Sequence, residues 1–148
     1  MYKRENPNQL LKYLTPSEVE RVMTACRIEQ CPPGDLLIES GDRNRDLLVV
    51  QSGSVEVLVT LRDGREIIVA ELHDNALIGE MNFVLPMRRT ATIRAGADTV
   101  VQRFSYTPLT ELLRSEPEIA AKLFAAINDS QAETYIRTVE RLLKREDK

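Results

Sequence analysis

A chain of 148 residues, 43% apolar and 29% charged, has the composition of one ordinary globular domain, large enough to bury a core without staples. Its net charge of −3 and pI near 5.3 give no bulk attraction to nucleic acid or an anionic membrane. One histidine, His73, and two cysteines, Cys26 and Cys31, cannot fill a four-ligand zinc site; without a membrane-length apolar run or a signal core in MYKRENPNQ, a cytoplasmic protein with two plain thiols is expected.

Leu10, Leu11 and Leu14 share one helical face and predict a short first helix. Thr15-Pro16-Ser17-Glu18 reads as a capping box opening a second helix, which the spacing of Val19, Val22, Met23 and Cys26 carries up to the Cys31-Pro32-Pro33-Gly34 turn. From Arg27 to Arg103 the period is strand-like. Strands are predicted at 35–40, 46–52, 54–61 and 66–72, with Asp63-Gly64 as a type I′ hairpin turn and Asn75 able to turn left-handed. A last strand is predicted at 99–106. Many short strands at such spacing point to a jelly-roll barrel, mainly β, with flanking helices.

The helical period returns at Thr107-Pro108, and Ser115-Glu116-Pro117-Glu118 is read as another capping box. The helix that follows runs to about Arg145 without Gly or Pro, with a stripe of Ile119, Leu123, Ile127, Tyr135, Ile136, Val139, Leu142 and Leu143. A helix this long cannot bury its whole length on one small domain. A second copy packing on its C-terminal half, giving a homodimer, is therefore expected. The whole chain, 1–148, reads as one unit: N-terminal helices over about 1–31, a barrel over 32–106 and C-terminal helices over 107–148.

The stretch LIGEMNFVLPMRRTATIRA, residues 77–95, carries the chemistry. Gly79 precedes a carboxylate, Glu80; Pro86 breaks the backbone; Arg88 and Arg89 follow; then Thr90 to Ala95 resumes the strand pattern. An acid that can bridge hydroxyls, facing an arginine that can grip an oxyanion, describes a ribose-phosphate clamp.

With Gly34, Gly41, Gly53, Gly64 and Gly79 as ordered punctuation, and Gly-Glu followed by Arg-Thr-Ala-Thr, residues 10–143 resemble the cyclic nucleotide-binding domain family, of the catabolite activator and cAMP-dependent kinase regulatory-subunit type. The resemblance implies a non-catalytic sensor for cAMP or cGMP, cAMP preferred, with a phosphate-binding insert at 79–90 around a short helix. In it Gly79 turns the backbone, Glu80 meets the ribose 2′-hydroxyl, Arg89 pairs with the cyclic phosphate, and Thr90 touches phosphate or base. Backbone N–H groups of Met81, Asn82 and Thr90 cradle the phosphate. Val57, Val69 and Leu72 lie against the base, and Thr134 on the long helix meets it. Asn82 stands where the family has Ala or Gly, and Arg88 where it often has Pro.

Two readings follow. In one, occupancy is relayed through the C-terminal helices to an unidentified effector protein. In the other, a degenerate domain keeps the fold for oligomerisation or docking without nucleotide, with Glu80 and Arg89 as a structural ion pair. A histidine-rich metal enzyme is disfavoured by the single histidine, and DNA recognition by the lack of room for a helix-turn-helix before Lys148. Charged hydrogen bonds at about 1.5–3 kcal/mol each suit a micromolar ligand. Loss of Arg89 is then expected to weaken binding by orders of magnitude and leave the fold intact.

Overall fold

The computed structural model describes residues 8–146. The outer ends of the expected terminal regions, residues 1–7 and 147–148, and with them most of the N-terminal segment read as leader-free, lie outside the described residues.

Residues 9–13 form turns instead of the expected first helix: Leu11 and Leu14 N–H donate to Asn8 and Leu11 carbonyls three residues back. The segment is too short to nucleate an α-helix, and the Asn8 side chain takes the Leu10 N–H at 2.7 Å. Leu10 and Leu11 are buried all the same. Helix α1 (Pro16–Met23) has the predicted reciprocal cap, Thr15 Oγ1 accepting from Glu18 N–H and Glu18 Oε1 from Thr15 N–H. It stops before Cys26, because Thr24 turns its N–H and hydroxyl onto the Arg21 carbonyl. Cys26 instead opens strand β1 (Cys26–Cys31), opposite Phe104. Cross-strand pairing overrides the helical spacing there.

The chain continues through β2 (Leu36–Ile38), β3 (Leu47–Ser52), β4 (Val55–Thr60), β5 (Glu66–Leu72), β6 (Leu77–Ile78), α2 (Glu80–Val84), β7 (Thr92–Ala95), β8 (Thr99–Phe104), α3 (Tyr106–Ser115) and α4 (Pro117–Glu146). The strands form two antiparallel sheets, β1-β8-β3-β6 and β2-β7-β4-β5. Neither closes, so the expected jelly-roll barrel is corrected to a mixed α/β fold of two open sheets with flanking helices. Alternation predicts strands and their faces; closure needs bonded outer edges, and here β1, β6, β2 and β5 remain edges.

Strand β3 explains the layering. Its Leu-Leu-Val-Val run is buried on both faces. Leu48 and Val50 join Ile38, Val55, Ile93 and Val101 between the sheets, while Leu47 and Val49 join Val22, Phe104, Leu109 and Leu123 beneath the helices.

The β4–β5 turn also differs from expectation. Gly64 has φ 90°, Asp63 does not have positive φ, and Gly64 N–H donates to Leu61 O while Leu61 N–H donates to Arg65 O. This is a type I turn with a glycine bulge, held by Asp63 accepting from Arg65 N–H at 3.0 Å. Asn75 does adopt the left-handed conformation, φ 69°.

Helix α3 starts at Tyr106 rather than after Thr107, because Asp46 Oδ1 accepts the Tyr106 N–H at 2.8 Å from across the sheet. The Ser115 hydroxyl bonds the Leu112 carbonyl, so the second predicted capping box is absent. Helix α4 is anchored over its first half by buried Ile119, Leu123 and Ile127, by Lys122–Glu18 at 2.7 Å and by Lys12–Asp129 at 2.9 Å, with Tyr13 OH also donating to Asp129. Further along, Tyr135, Ile136, Leu142 and Leu143 are exposed. Among the described residues no helix is long and apolar enough to cross a membrane.

Candidate functional site

Where β6 ends, Gly79 takes φ 85° and α2 begins, turning the chain over the β2 and β7 ends of the second sheet. A cavity of about 150 Å³ lies beneath it, with Ile38, Ile78 and Ile93 as apolar floor and Glu80, Asn82, Arg89 and Thr90 as polar wall.

Arg89 is 3% exposed. Its Nη2 donates to the Asp46 carbonyl at 2.8 Å and Asn44 Oδ1 at 3.0 Å, and Nη1 to the Gly79 carbonyl at 3.4 Å. Its backbone is tied as well, N–H to Asp42 O at 2.7 Å and carbonyl from Gly41 N–H at 2.8 Å. Of its three guanidinium nitrogens Nε alone, which is buried, has no partner. An unsatisfied buried N–H costs free energy, which an incoming oxyanion would recover. Burial lowers the guanidinium pKa, with the Asp46 carboxylate opposing; the group still carries its proton at physiological pH.

Gly79 is required twice over. An L side chain resists φ 85°, and a Cβ there would sit 2.5 Å from Arg89 Nη1 and 2.9 Å from the Asp46 carbonyl. The absence of a side chain is what lets the guanidinium lie on the backbone.

Glu80 is half-buried, and desolvation raises its carboxyl pKa against the pull of its own N–H and of Arg89. Among the ion pairs of the described residues none joins Glu80 to Arg89, so the structural ion-pair reading does not describe this site. Asn82, 7% exposed, donates Nδ2 to the Met87 carbonyl at 2.8 Å and so ties α2 to the loop carrying Pro86. The residue that departs from the family pattern thus has a structural partner.

Gly79, Glu80, Met81, Asn82, Arg89 and Thr90 therefore line one cavity. Val57, Val69, Leu72 and Thr134 do not. Val57 and Leu72 pack on the inter-sheet core, and Val69 is 44% exposed on β5. Thr134 is exposed on α4, its hydroxyl donating to the Ser130 carbonyl at 3.0 Å.

The sequence reading missed the Asn44-Arg45-Asp46 segment. Asn44 and Asp46 hold Arg89. Arg45 donates to the Asn82 and Phe83 carbonyls at 2.8 and 2.9 Å, closing the C-terminal end of α2, with its guanidinium 4.2 Å from the Tyr106 ring centre. Asp46 presents its carbonyl to Arg89 and its carboxylate to the first N–H of α3. The only signal was a polar run leading into a doubly buried strand, which reads as a turn.

The family model for the cyclic nucleotide-binding domain matches residues 28–116. The cAMP-activated global transcriptional regulator CRP of Escherichia coli is 30% identical over 112 residues, 75% of this chain and 53% of the relative, so the chain spans about half the length of that curated relative. The N-terminal domain of a transcriptional regulator from Streptomyces coelicolor superposes with TM-score 0.74 at 29% identity, covering 88% of this chain and 92% of that one. A cyclic nucleotide-binding domain from Methylobacillus flagellatus has the same fold, with TM-score 0.83 at 23% identity over 89% of this chain and 74% of the other. A family model covering most of the chain, over the segment that builds the Gly79–Arg89 cavity, makes this chain a member of the cyclic nucleotide-binding domain family, a non-catalytic regulatory module.

Proposed function

We propose that this module binds cAMP in preference to cGMP and relays occupancy through α3 and α4. One observation carries the reading: a buried guanidinium N–H without an acceptor, Arg89 Nε, belongs to a residue lining the same cavity as Glu80, a carboxylate outside any ion pair among the described residues. The cyclic phosphate supplies the acceptor for Nε, and the ribose 2′-hydroxyl donates to Glu80. At about 150 Å³ the cavity is smaller than the ~300–1,000 Å³ of pockets that enclose a drug-sized ligand, so it takes the sugar-phosphate and leaves the base outside. Contact of the base with Val57, Val69, Leu72 or Thr134 then needs the β4–β5 hairpin or α4 to close over it. The preference for cAMP follows the cAMP-activated relatives.

The relay has a physical route. Asp46 touches both Arg89 and the start of α3; Arg45 joins the end of α2 to the Tyr106 ring; and Phe83 of α2 meets Tyr106 and Phe124 at ring-centre distances of 5.6 and 6.1 Å. A ligand that moves Arg89 or α2 bears directly on both helices. The exposed stripe of α4 supports a homodimer, and the same helices are the face offered to an unidentified effector protein. By itself the module binds no nucleic acid in this reading, and its free thiols, Cys26 and Cys31, suit the cytoplasm.

Calorimetric titration with cAMP and cGMP tests the reading. Saturable one-to-one binding, tighter for cAMP, is expected. Silence with both at millimolar concentration would replace it with the nucleotide-free docking domain. Sedimentation of Ile136→Glu/Leu142→Glu tests the dimer separately; the variant is expected to be monomeric.

A further inference from the structure

Arg88 and Arg89 are neighbours with opposite fates. Arg89 is enclosed by Gly79, Asn44 and Asp46, whereas Arg88 is exposed and donates Nη1 to the Gly41 carbonyl at 3.0 Å. A second cavity of about 380 Å³ is lined by Arg43, Arg45, Pro86, Met87 and Arg88. Three arginines and no acidic residue line it.

Elsewhere among the described residues Arg21, Arg27, Arg65, Arg94 and Arg103 each pair with a carboxylate, whereas Arg62, Arg114, Arg137, Arg141 and Arg145 do not. Among the ion pairs of the described residues none includes Arg43, Arg45 or Arg88. The two acids adjacent in sequence do not line the cavity: Asp42 accepts from the Arg43 backbone N–H, and the Asp46 carboxylate from the Tyr106 N–H and Arg103.

Two of the three cations are also fixed in advance. Arg45 is held by the Asn82 and Phe83 carbonyls and lies over the Tyr106 ring, and Arg88 is held by Gly41. Arg43 alone makes no side-chain hydrogen bond and is exposed, able to swing onto a bound group. Holding guanidiniums in place before a ligand arrives removes part of the ordering cost of binding. Their forked donors match phosphate oxygens, and three positive charges suit a group carrying two or more negative ones better than a single carboxylate. The volume is within the range of small-molecule sites.

We propose that Arg43, Arg45 and Arg88 form a second oxyanion site, for a pyrophosphate or phosphate-monoester group of a small molecule, in this second cavity. The site does not depend on the nucleotide reading, since it shares only Met87 with the first cavity.

The probe is inorganic pyrophosphate, titrated calorimetrically at low salt into the wild type, into Arg43→Ala/Arg88→Ala and into Arg89→Gln. Arg45 is left in place because it also holds α2. The expected result is saturable binding to the wild type, weakened about tenfold or more in the double variant, whose thermal melt is unchanged, and retained in Arg89→Gln. Equal binding to wild type and double variant, or none to the wild type at millimolar pyrophosphate, overturns the proposal. Loss in Arg89→Gln alone overturns it by placing the anion in the first cavity. Binding of a glutamate-rich peptide but not of pyrophosphate overturns it in favour of a protein-docking surface.

Discussion

At the insert end, Gly79, Glu80, Asn82 and Arg89 come from one short segment and line one cavity, with Arg89 held by Asn44 and Asp46 and Asn82 by Met87. At the other end, Val57, Val69, Leu72 and Thr134, the residues expected against a base, come from two strands and a helix and do not line that cavity. On the proposed function the first end is preformed and the second has to be gathered. Strength of binding should therefore reside in the cradle, and any ligand-driven movement in the parts that close toward it.

The largest effect should come from Arg89→Gln. It removes the unpartnered Nε and is expected to abolish measurable cyclic nucleotide binding, a loss of about 100-fold or more by calorimetry. It also strips donors from the Asp46 carbonyl and Asn44, so chemical denaturation should show a loss of about 1–3 kcal/mol. The fold is expected to stay intact at that loss, as a domain stable by about 5–15 kcal/mol tolerates it.

Gly79→Ala attacks the same end through the backbone. The left-handed φ alone should cost about 1–3 kcal/mol, and the displaced guanidinium should weaken nucleotide binding by about tenfold. Melting temperature and affinity should fall together.

Glu80→Gln should separate them. Burial raises the Glu80 carboxyl pKa in the folded state, so its ionised form opposes folding. That penalty is absent below the ordinary glutamate pKa of ~4.3 and complete above the raised value. The variant should match wild-type stability in acid, exceed it at neutral pH, and bind nucleotide about tenfold more weakly. Melts across pH, with and without cAMP, read both signs. A variant less stable than wild type at neutral pH would show Glu80 to be a structural residue.

Thr134→Ala should do least, changing affinity by less than about twofold, because its hydroxyl already bonds its own helix at Ser130. A tenfold loss would break the contrast between the two ends and show that α4 closes onto the base.

The legibility of the site follows the same division. The Gly79–Thr90 segment could be read because its residues are close in sequence and its chemistry, a turn, an acid and a guanidinium, is local. The hold on Arg89 could not, because Asn44 and Asp46 lie more than forty residues away and look like an ordinary polar turn. The strand from Val55 to Thr60 was legible from alternation but its faces were not, because the register shifts between Val57 and Leu58 and buries Leu58 rather than Val57 or Val59. Nor were the open sheets, since strands of a sandwich and of a barrel alternate alike and only the bonding of β1, β2, β5 and β6 decides. Cys26 had helical spacing and went to a strand because its partner Phe104 is remote.

The most direct test is the Arg89 side-chain Nε–H resonance, assigned by its loss in Arg89→Gln and followed during titration with cAMP. It should move downfield and exchange more slowly with water as the phosphate takes up the free donor, saturating at one nucleotide per chain. A resonance that stays in place while cAMP reaches millimolar concentration would contradict the claim that this buried N–H waits for the cyclic phosphate.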